Sequence, residues 1–349
     1  MKPAPPSAEQ RWLINLAICS ALPLPENPDL AKSFLNTAVR GAGTHFLPAI
    51  LAHLKHLGLF EQLPIDLRDA LQPRLFRALN RHLRQEAWLD PFLRHTLPDD
   101  LPVILLKGWA FNRTLYPEDT PRLCGDIDLF VRDGDADRLA ALLEKECPPT
   151  TPSTEHPDPS YYELSFQVGS PPGIRVDLHR ALFQPDLIPI DDKALWLRSR
   201  PHPAYADPKI RLLAPEDALL HLAGNALIDR LIAPHTLVDA GRLIHDWNPD
   251  LHIVRQRARE WGIRAITDRF LDQLSRVWEN GPPLAPSPPA HPTAARQWLA
   301  ERYLSVAPLT APQSWLRERT SQLLSLGLLD QPLRAVPFLF NYLRHQILK

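Results

Sequence analysis

The sequence is 349 residues long and carries 39 Lys and Arg against 40 Asp and Glu, with 44% hydrophobic residues. This length suffices for a large hydrophobic core and suggests two or three domains. Because the charges balance, the chain has no global positive field for a polyanion, which argues against a nucleic-acid partner without excluding one. Its three cysteines are too few for a disulfide framework and lack metal-ligand spacing, which is typical of reduced thiols in the cytoplasm.

An apolar segment near the start, Trp12–Leu22, needs to be distinguished from a membrane or targeting segment. It is short, and Asn15 interrupts it, whereas a membrane-spanning helix needs about 20 apolar residues. The residues before it do not form a positive region of the kind that precedes a signal sequence. We therefore predict a buried amphipathic helix and a cytoplasmic protein with no membrane partner.

The first part of the chain, residues 1–98, has a helical pattern. Apolar residues recur at spacings of three and four in His45–Leu59 and in Leu67–Leu97, which predicts two helices. Nothing in this region suggests catalysis.

The pattern changes in residues 99–182, where short apolar runs alternate with turns. Two proline-rich stretches, Cys147–Ser160 here and Gly281–Pro292 further on, are predicted to be loops. We predict strands at Leu101–Leu106, Gly125–Arg132, Tyr162–Val168 and Ile174–Leu178, helices at Trp109–Leu115 and at Ala136–Glu146 with Asp135 as N-cap, and a hairpin turn at Gly169–Gly173.

From residue 183 to residue 349 the pattern is helical again. The predicted helices are Pro215–Leu227, His235–Trp247, Ile253–Gly262, Ile266–Trp278, Ala294–Tyr303 and Ala311–Leu326. The predicted fold class is therefore α+β, with a small mixed-sheet core at 99–182 flanked by an N-terminal helical region at 1–98 and a C-terminal helical region at 183–349.

Two acids stand two residues apart in the second predicted strand. Asp126 and Asp128 point to the same face of that strand, about 6.5–7 Å apart along the backbone. Their oxygens can converge on a divalent cation, and Mg²⁺ accepts such a sparse oxygen-only ligand set because it keeps waters and adds substrate phosphates. The alternative is a solvated strand edge whose aspartates merely precede a turn.

A third acid, Asp177, lies in the last predicted strand of this region, on one face with Arg175 and His179. A carboxylate on a neighbouring strand would complete a two-metal site or act as a general base for an attacking hydroxyl. Asp177 could equally form a structural salt bridge with Arg175 or Arg180. His179 could support Asp177 or contact a phosphate, or it could be structural.

Lys107 and Gly108 follow the first predicted strand. Glycine permits the close approach of a backbone to a phosphate, and lysine offers a mobile positive charge. Later in the chain, Asp217, His221 and Asn225 recur every four residues along one helical face, with Asp239 and Arg242 on the next helix. They form either a pocket wall for the base or the acceptor, or a hydrogen-bonded polar seam between helices, and the seam is favoured.

These motifs, taken in order, resemble the nucleotidyltransferase fold of the DNA polymerase β superfamily, in particular an uncharacterised bacterial branch of it. The resemblance covers roughly residues 101–180 and extends weakly to Leu213–Asp239. It is carried by Leu105-Leu106-Lys107-Gly108, Tyr116, Arg122, Asp126-Ile127-Asp128-Leu129-Phe130-Val131 and Val176-Asp177-Leu178-His179.

The resemblance implies a role for each matched residue. Asp126 and Asp128 would bind Mg²⁺, or Mn²⁺, with Asp177 as the third carboxylate, and Gly108 would meet the triphosphate of an NTP such as ATP. The serine that usually follows this glycine is replaced by Trp109, so Lys107 could take over its phosphate contact. Arg122 could add another phosphate contact, or it could be a surface arginine in a proline-rich turn.

We therefore expect Mg²⁺-dependent transfer of a nucleoside monophosphate from an NTP to an acceptor hydroxyl, on a small molecule or a protein, with release of pyrophosphate. The alternative is a catalytically weak nucleotide-binding or regulatory protein that keeps the fold, which the altered glycine turn would explain. An RNA-modifying transferase is a third hypothesis. It requires a basic stripe beside the carboxylates, and the sequence offers no Lys/Arg cluster that indicates one.

Overall fold

The protein is described by a computed structural model. The described residues are 11, 14, 15, 17, 18, 45, 47–56, 58, 60–147, 162–170, 173–228, 233–278, 281–284 and 329–331. The predicted helices Ala294–Tyr303 and Ala311–Leu326 lie outside them. By their contacts the residues form two compact units, Met1–Arg68 with Asp186–Pro189 and Pro215–Lys349, and Asp69–Pro185 with Ile190–Ala214. The predicted core, 99–182, lies within the second unit, which extends beyond it in both directions along the chain.

A six-stranded mixed sheet forms the centre of the second unit. Its strands are β1 (Val103–Leu105), β2 (Ile127–Phe130), β3 (Glu163–Val168), β4 (Ile174–His179), β5 (Arg200–Pro201) and β6 (Ile210–Leu212). They lie in the order β3-β4-β2-β1-β6-β5, with β2 parallel to β4 and β1 parallel to β6. A mixed sheet with many helices confirms the predicted α+β class.

The last two strands correct the sequence analysis. The prediction that the chain is helical from residue 183 onward is wrong at β5 and β6, because β6 pairs with β1 and β5 pairs with β6. These strands are too short to show a period-two pattern, although Ile210 and Leu212 are both buried. The four strands predicted earlier in the chain are all present, within a few residues of their predicted ends.

Helices complete both units. Among the described residues, four α-helices have residues in the second unit: α2 (Ile65–Pro91), which begins in the first unit, α3 (Lys107–Phe111), α4 (Ala136–Glu146) and α5 (Asp192–Arg198). The first unit contains α1 (Leu47–His56), α6 (Pro215–Ile228), α7 (Pro234–Trp247), α8 (Leu251–Glu260) and α9 (Arg264–Val277). None of the described helices combines the length and apolar composition that a membrane crossing requires.

Two helix predictions differ in detail from the structure. The helix expected at Trp109–Leu115 is α3, which starts two residues earlier and ends at Phe111. Asp135 does precede α4, but its side chain makes no capping hydrogen bond. At the start of the chain, the described residues of the segment 12–22 are helical and buried, Ile14 and Ala17 among them.

The sheet positions the polar residues through its alternation. On β2, Ile127 and Leu129 are fully buried, and Asp128 points to the opposite face between them. On β4, Val176 and Leu178 are likewise fully buried. Helix α4 packs against β3 and β4. One face of the sheet therefore contributes to the core, and the other carries the acids.

Candidate active site

The pairing of β2 with β4 brings two of the predicted acids together. The strands are parallel neighbours, and Asp128 lies directly opposite Asp177 in the register. Both side chains are buried, with Asp128 4% and Asp177 3% exposed. Asp126 stands immediately before β2, on the same alternating face as Asp128. The three predicted carboxylates thus lie on one face of adjacent strands.

Asp128 is held by two side chains. Lys107 Nζ lies 3.1 Å from its Oδ1, and His179 Nε2 donates a hydrogen bond to the same oxygen at 2.9 Å. Burial alone would raise the pKa of Asp128, but the Lys107 ammonium and the His179 hydrogen bond outweigh it and hold that pKa below its ordinary value. Asp128 is therefore an ionised, oriented carboxylate, and His179 supports Asp128 rather than Asp177.

Asp177 has its own partners. Arg175 Nε donates to both of its oxygens, at 3.0 and 3.1 Å, and the Ser165 hydroxyl donates to Oδ1 at 2.6 Å. Burial raises the pKa of Asp177 and outweighs these hydrogen bonds, with a further contribution from the negative charge of Asp128. Of the two salt bridges left open by the sequence, the structure forms the one with Arg175. Arg180 instead pairs with Asp137.

Asp126 differs from the other two acids. It makes no hydrogen bond or ion pair with any residue that the structure describes, although it is half-buried. Burial raises its pKa first, and the charge of Asp128 adds to this, while Lys107, Arg175 and Arg122 act in the opposite direction. Burial and the charge of Asp128 outweigh the three cations, so the ionised form of Asp126 is disfavoured, and a divalent cation bound directly to its oxygens would stabilise it.

Lys107 contacts a carboxylate, and its backbone is unusual. Its φ of 46° lies in the left-handed region, which non-glycine residues rarely adopt. Burial lowers the pKa of its ammonium, but Asp128, Glu163 and Asp126 outweigh burial and raise that pKa above its ordinary value. The lysine therefore remains charged within the site.

Gly108 is required by packing within the protein itself. A Cβ at this position would overlap with Cys124 Sγ and approach the Arg122 guanidinium at 3.4 Å. The structure thus gives a reason for this glycine that does not involve a phosphate. Cys124 was not recognised as part of this arrangement in the sequence, because no short motif links it to Gly108.

Arg122 is buried, only 6% exposed, so its interpretation as a surface arginine is wrong. Its backbone is clamped by Asn112, whose Oδ1 accepts from the Arg122 N–H at 2.9 Å and whose Nδ2 donates to the Arg122 carbonyl at 3.0 Å. Its Nη1 donates to the Leu123 carbonyl at 2.8 Å. Asn112 was missed by the sequence analysis because its role depends on a turn that brings residues 112 and 122 together.

The polar residues of the later helices lie in the first unit. Asp217 is fully buried, and its Oδ1 accepts from Arg257 Nη1 at 2.9 Å, which joins α6 to α8. Arg242 Nε donates to the Ala17 carbonyl at 2.7 Å. Asp217 and Arg242 thus each bond to another helix, through partners outside the set of residues predicted from the sequence.

The three carboxylates form only a partial ligand set for a divalent cation. Within the described ranges, no group of three or more His, Cys, Asp or Glu side chains is arranged to hold a metal ion. Asp126 makes no hydrogen bond or ion pair within the described part of the chain, however, and it stands beside the ionised Asp128, so these two carboxylates suit an ion that keeps most of its waters. Asp177 fits the same set only if Arg175 releases it.

Comparison with known proteins assigns the chain to a family. None of the curated proteins matches it. Residues 37–278 match a family described as uncharacterised nucleotidyltransferase, and this match spans well over half of the chain. It includes the whole sheet and every predicted site residue. The chain therefore belongs to this nucleotidyltransferase family.

Proposed function

We propose that this protein is a Mg²⁺-dependent nucleotidyltransferase that moves a nucleoside monophosphate from an NTP to an acceptor hydroxyl and releases pyrophosphate. The observation that carries the proposal is the face of β2 and β4, where Asp126, which makes no ion pair with a described residue, lies beside the buried pair Asp128 and Asp177. Family membership supports the reaction class. The order of the motifs, which resembles the DNA polymerase β superfamily, supports the roles given below.

Asp126 and Asp128 would hold the ion, Mg²⁺ or Mn²⁺, and Asp177 would join them once Arg175 turns away. A bound divalent ion supplies charge neutralisation for the phosphates and for the oxygens that attack and leave. His179 and Lys107 keep Asp128 ionised and fix its orientation, through contacts at 2.9 and 3.1 Å. Lys107 and Arg122 provide positive charge beside the acids, where the triphosphate would lie.

In the transfer itself, the acceptor oxygen forms a bond to the α-phosphorus while the bond from that phosphorus to pyrophosphate breaks. The hydroxyl proton must leave with a base. Asp177 suits this role because burial raises its pKa, so it accepts a proton more readily than an ordinary aspartate. Pyrophosphate departs with the electron pair of the broken bond.

A second candidate function is a nucleotide-binding or regulatory protein with little catalytic activity. The observation that favours it is the double hold on Asp177 by Arg175 and Ser165. If that hold persists with nucleotide bound, Asp177 can neither bind a metal ion nor accept a proton. Such a protein would bind an NTP without turning it over.

The test compares Asp126→Asn with the wild type, because Asp126 makes no hydrogen bond or ion pair with the described residues and its substitution should not disturb folding. Asp119→Asn, in an exposed turn, is the matched control. Calorimetry measures binding of a non-hydrolysable NTP with Mg²⁺, and α-labelled NTPs report transfer to small-molecule or protein acceptors. We expect Asp126→Asn to lose both activities and Asp119→Asn to keep them. Full transfer by Asp126→Asn would refute the metal assignment, and NTP binding without transfer to any acceptor would favour the binding protein.

A further inference from the structure

Ser165, on β3, lies in one row with two of the acids. It is directly opposite Asp177 in the pairing of β3 with β4, and Asp177 is directly opposite Asp128 in the pairing of β4 with β2. Neighbouring strands are about 4.8 Å apart, so the backbone of Ser165 is about 10 Å from that of Asp128. Ser165 is partly exposed, whereas its neighbours Leu164 and Phe166 are buried on the other face. Its hydroxyl therefore lies on the acidic face, where a substrate can reach it.

The neighbours of this hydroxyl fix the direction of its hydrogen bonds. Arg175 Nη2 donates to Ser165 Oγ at 3.2 Å, because a guanidinium has no acceptor atom. Asp177 Oδ1 lies 2.6 Å from the same Oγ. Arg175 Nε donates to both oxygens of Asp177, so this carboxyl group acts as an acceptor, and the proton in the short contact comes from Ser165. The Ser165 hydroxyl thus donates to a carboxylate and accepts from a cation.

This arrangement is the one that activates a hydroxyl as a nucleophile. An activated hydroxyl has a base within hydrogen-bond reach, and a third group orients that base. Here Asp177 is the base beside Ser165, and Arg175 orients Asp177. As the proton leaves, the hydrogen bond from Arg175 stabilises the negative charge that develops on Oγ. A purely structural role for Ser165, orienting Asp177, uses only the first of these contacts.

We infer that Ser165 is itself an acceptor of the nucleoside monophosphate, so that the protein modifies its own chain. This inference rests on the proposed function and names an acceptor for it. Ser165 Oγ forms a bond to the α-phosphorus of the NTP, and the bond from that phosphorus to pyrophosphate breaks. The proton of Ser165 passes to Asp177 Oδ1, and pyrophosphate leaves with the electron pair of the broken bond. The product is a phosphodiester that joins Ser165 to the nucleoside.

The reaction should occur within one chain and once per chain. Ser165 and its base Asp177 belong to neighbouring strands of the same sheet, so no second molecule is needed to bring them together. Once Oγ is esterified, it has no proton left to transfer, and one pyrophosphate is released for each protein molecule. Stoichiometry and dependence on protein concentration therefore distinguish this reaction from transfer to a separate acceptor.

The experiment incubates the full chain with ATP, GTP, CTP or UTP and with Mg²⁺ or Mn²⁺, and it measures the intact mass of the protein. We expect a gain of one nucleoside monophosphate in at least one mixture, with a rate constant that does not depend on protein concentration. Peptide mapping of the wild type by tandem mass spectrometry should place the label on Ser165. Because this mapping needs no variant, a change in folding cannot affect it.

Variants test the role of the hydroxyl. Ser165→Ala should take no label, whereas Ser165→Thr, which keeps a hydroxyl and suits a strand, should take it on the new side chain. Ser170→Ala is the matched control, because Ser170 is an exposed serine just beyond the same strand, and it should label like the wild type. In a mixture of Asp126→Asn with Ser165→Ala, neither protein should be labelled, because each chain lacks one part of the reaction and cannot borrow it from the other.

The outcomes separate this inference from the proposed function. The inference is overturned if the wild type takes no label in any mixture, if the label maps to another residue, if Ser165→Ala labels as fast as the wild type, or if Asp126→Asn is labelled in the mixture. A wild type that binds a non-hydrolysable NTP in calorimetry and transfers nucleotide to an added acceptor, yet takes no label itself, removes only this inference. A wild type that neither binds NTP nor transfers nucleotide contradicts both.

Discussion

Replacing Arg175 with glutamine should strengthen divalent metal binding in the absence of nucleotide. Arg175 Nε occupies both oxygens of Asp177, so a metal ion that uses Asp177 must first displace the guanidinium. Glutamine keeps a polar side chain but is shorter and removes the charge. Ser165 would remain on Oδ1, and Oδ2 would become free for an ion.

The magnitude follows from the exposure of the two partners. A hydrogen bond between charged groups contributes about 1.5–3 kcal/mol. The Arg175 side chain is 43% exposed against 4% for Asp177, so solvent screening reduces this contribution to about 1–2 kcal/mol. At about 1.4 kcal/mol for each factor of ten, the metal dissociation constant should fall by about 5- to 30-fold.

Calorimetric titration with Mn²⁺ or Mg²⁺, without NTP, measures this change directly. Arg180→Gln is the matched control, because Arg180 follows the same strand but pairs with Asp137 on α4. Asp126→Asn should lose binding in either background. If Arg175→Gln and the wild type bind the ion equally while Asp126→Asn does not, Asp177 is not a ligand and the reasoning about Arg175 fails. If the wild type binds no ion with or without NTP, the metal site itself fails.

Three further predictions concern other parts of the protein. Gly108→Ala should lower the free energy of unfolding by about 1–3 kcal/mol in urea denaturation, because Cys124 Sγ occupies the space of the new Cβ. Adding Cys124→Ala should recover most of this loss, and no recovery would contradict the packing explanation. Burial, with the charges of Arg113 and Arg200, lowers the pKa of His202 to about 4, so the unfolded chain binds a proton that the folded protein does not as the pH falls from about 6.5 towards 4. The wild type should therefore lose up to about 3 kcal/mol of stability over this range, and His202→Asn should lose less. Urea denaturation at both ends of the range measures the two losses, and equal losses would contradict the assignment of this pH dependence to His202. Asp217→Asn should lower the melting temperature by removing about 2 kcal/mol of stability, because among the described residues Arg257 then keeps only Glu216, at 3.6 Å. Adding Arg257→Met should restore part of the loss.

The sequence was sufficient to predict the strands that carry the acids. Alternation in 125–132 placed Asp126 and Asp128 on one face, and a carboxylate within an apolar run identified Asp177. What it could not provide is the register, since Asp128 meets Asp177 only because β2 and β4 are parallel neighbours in a sheet whose order departs from chain order. Strand pairing over long sequence separations has no local signal.

The partners of the acids show the same limit. Arg175 and Arg180 were equally plausible partners of Asp177 in the sequence, and the structure selects Arg175, which shares its face at a spacing of two. Ser165 contributes because β3 places it directly opposite Asp177. The contact between His179 and Asp128 joins the neighbouring strands β4 and β2. Predicting it would have required both the strand register and the direction of each side chain.

The charges around the acids bear on how metal and nucleotide would bind. The sequence suggested that crowded acids require divalent cations, yet the structure surrounds them with Lys107, Arg122 and Arg175, which all act on Asp126. One divalent ion added to this nearly balanced set leaves an excess of positive charge, and two ions leave more. A triphosphate brings the negative charge that restores the balance, and it offers Arg175 an alternative partner when that side chain leaves Asp177. The same electrostatics that would weaken metal binding alone therefore favour the joint binding of metal and NTP that the proposed transfer requires.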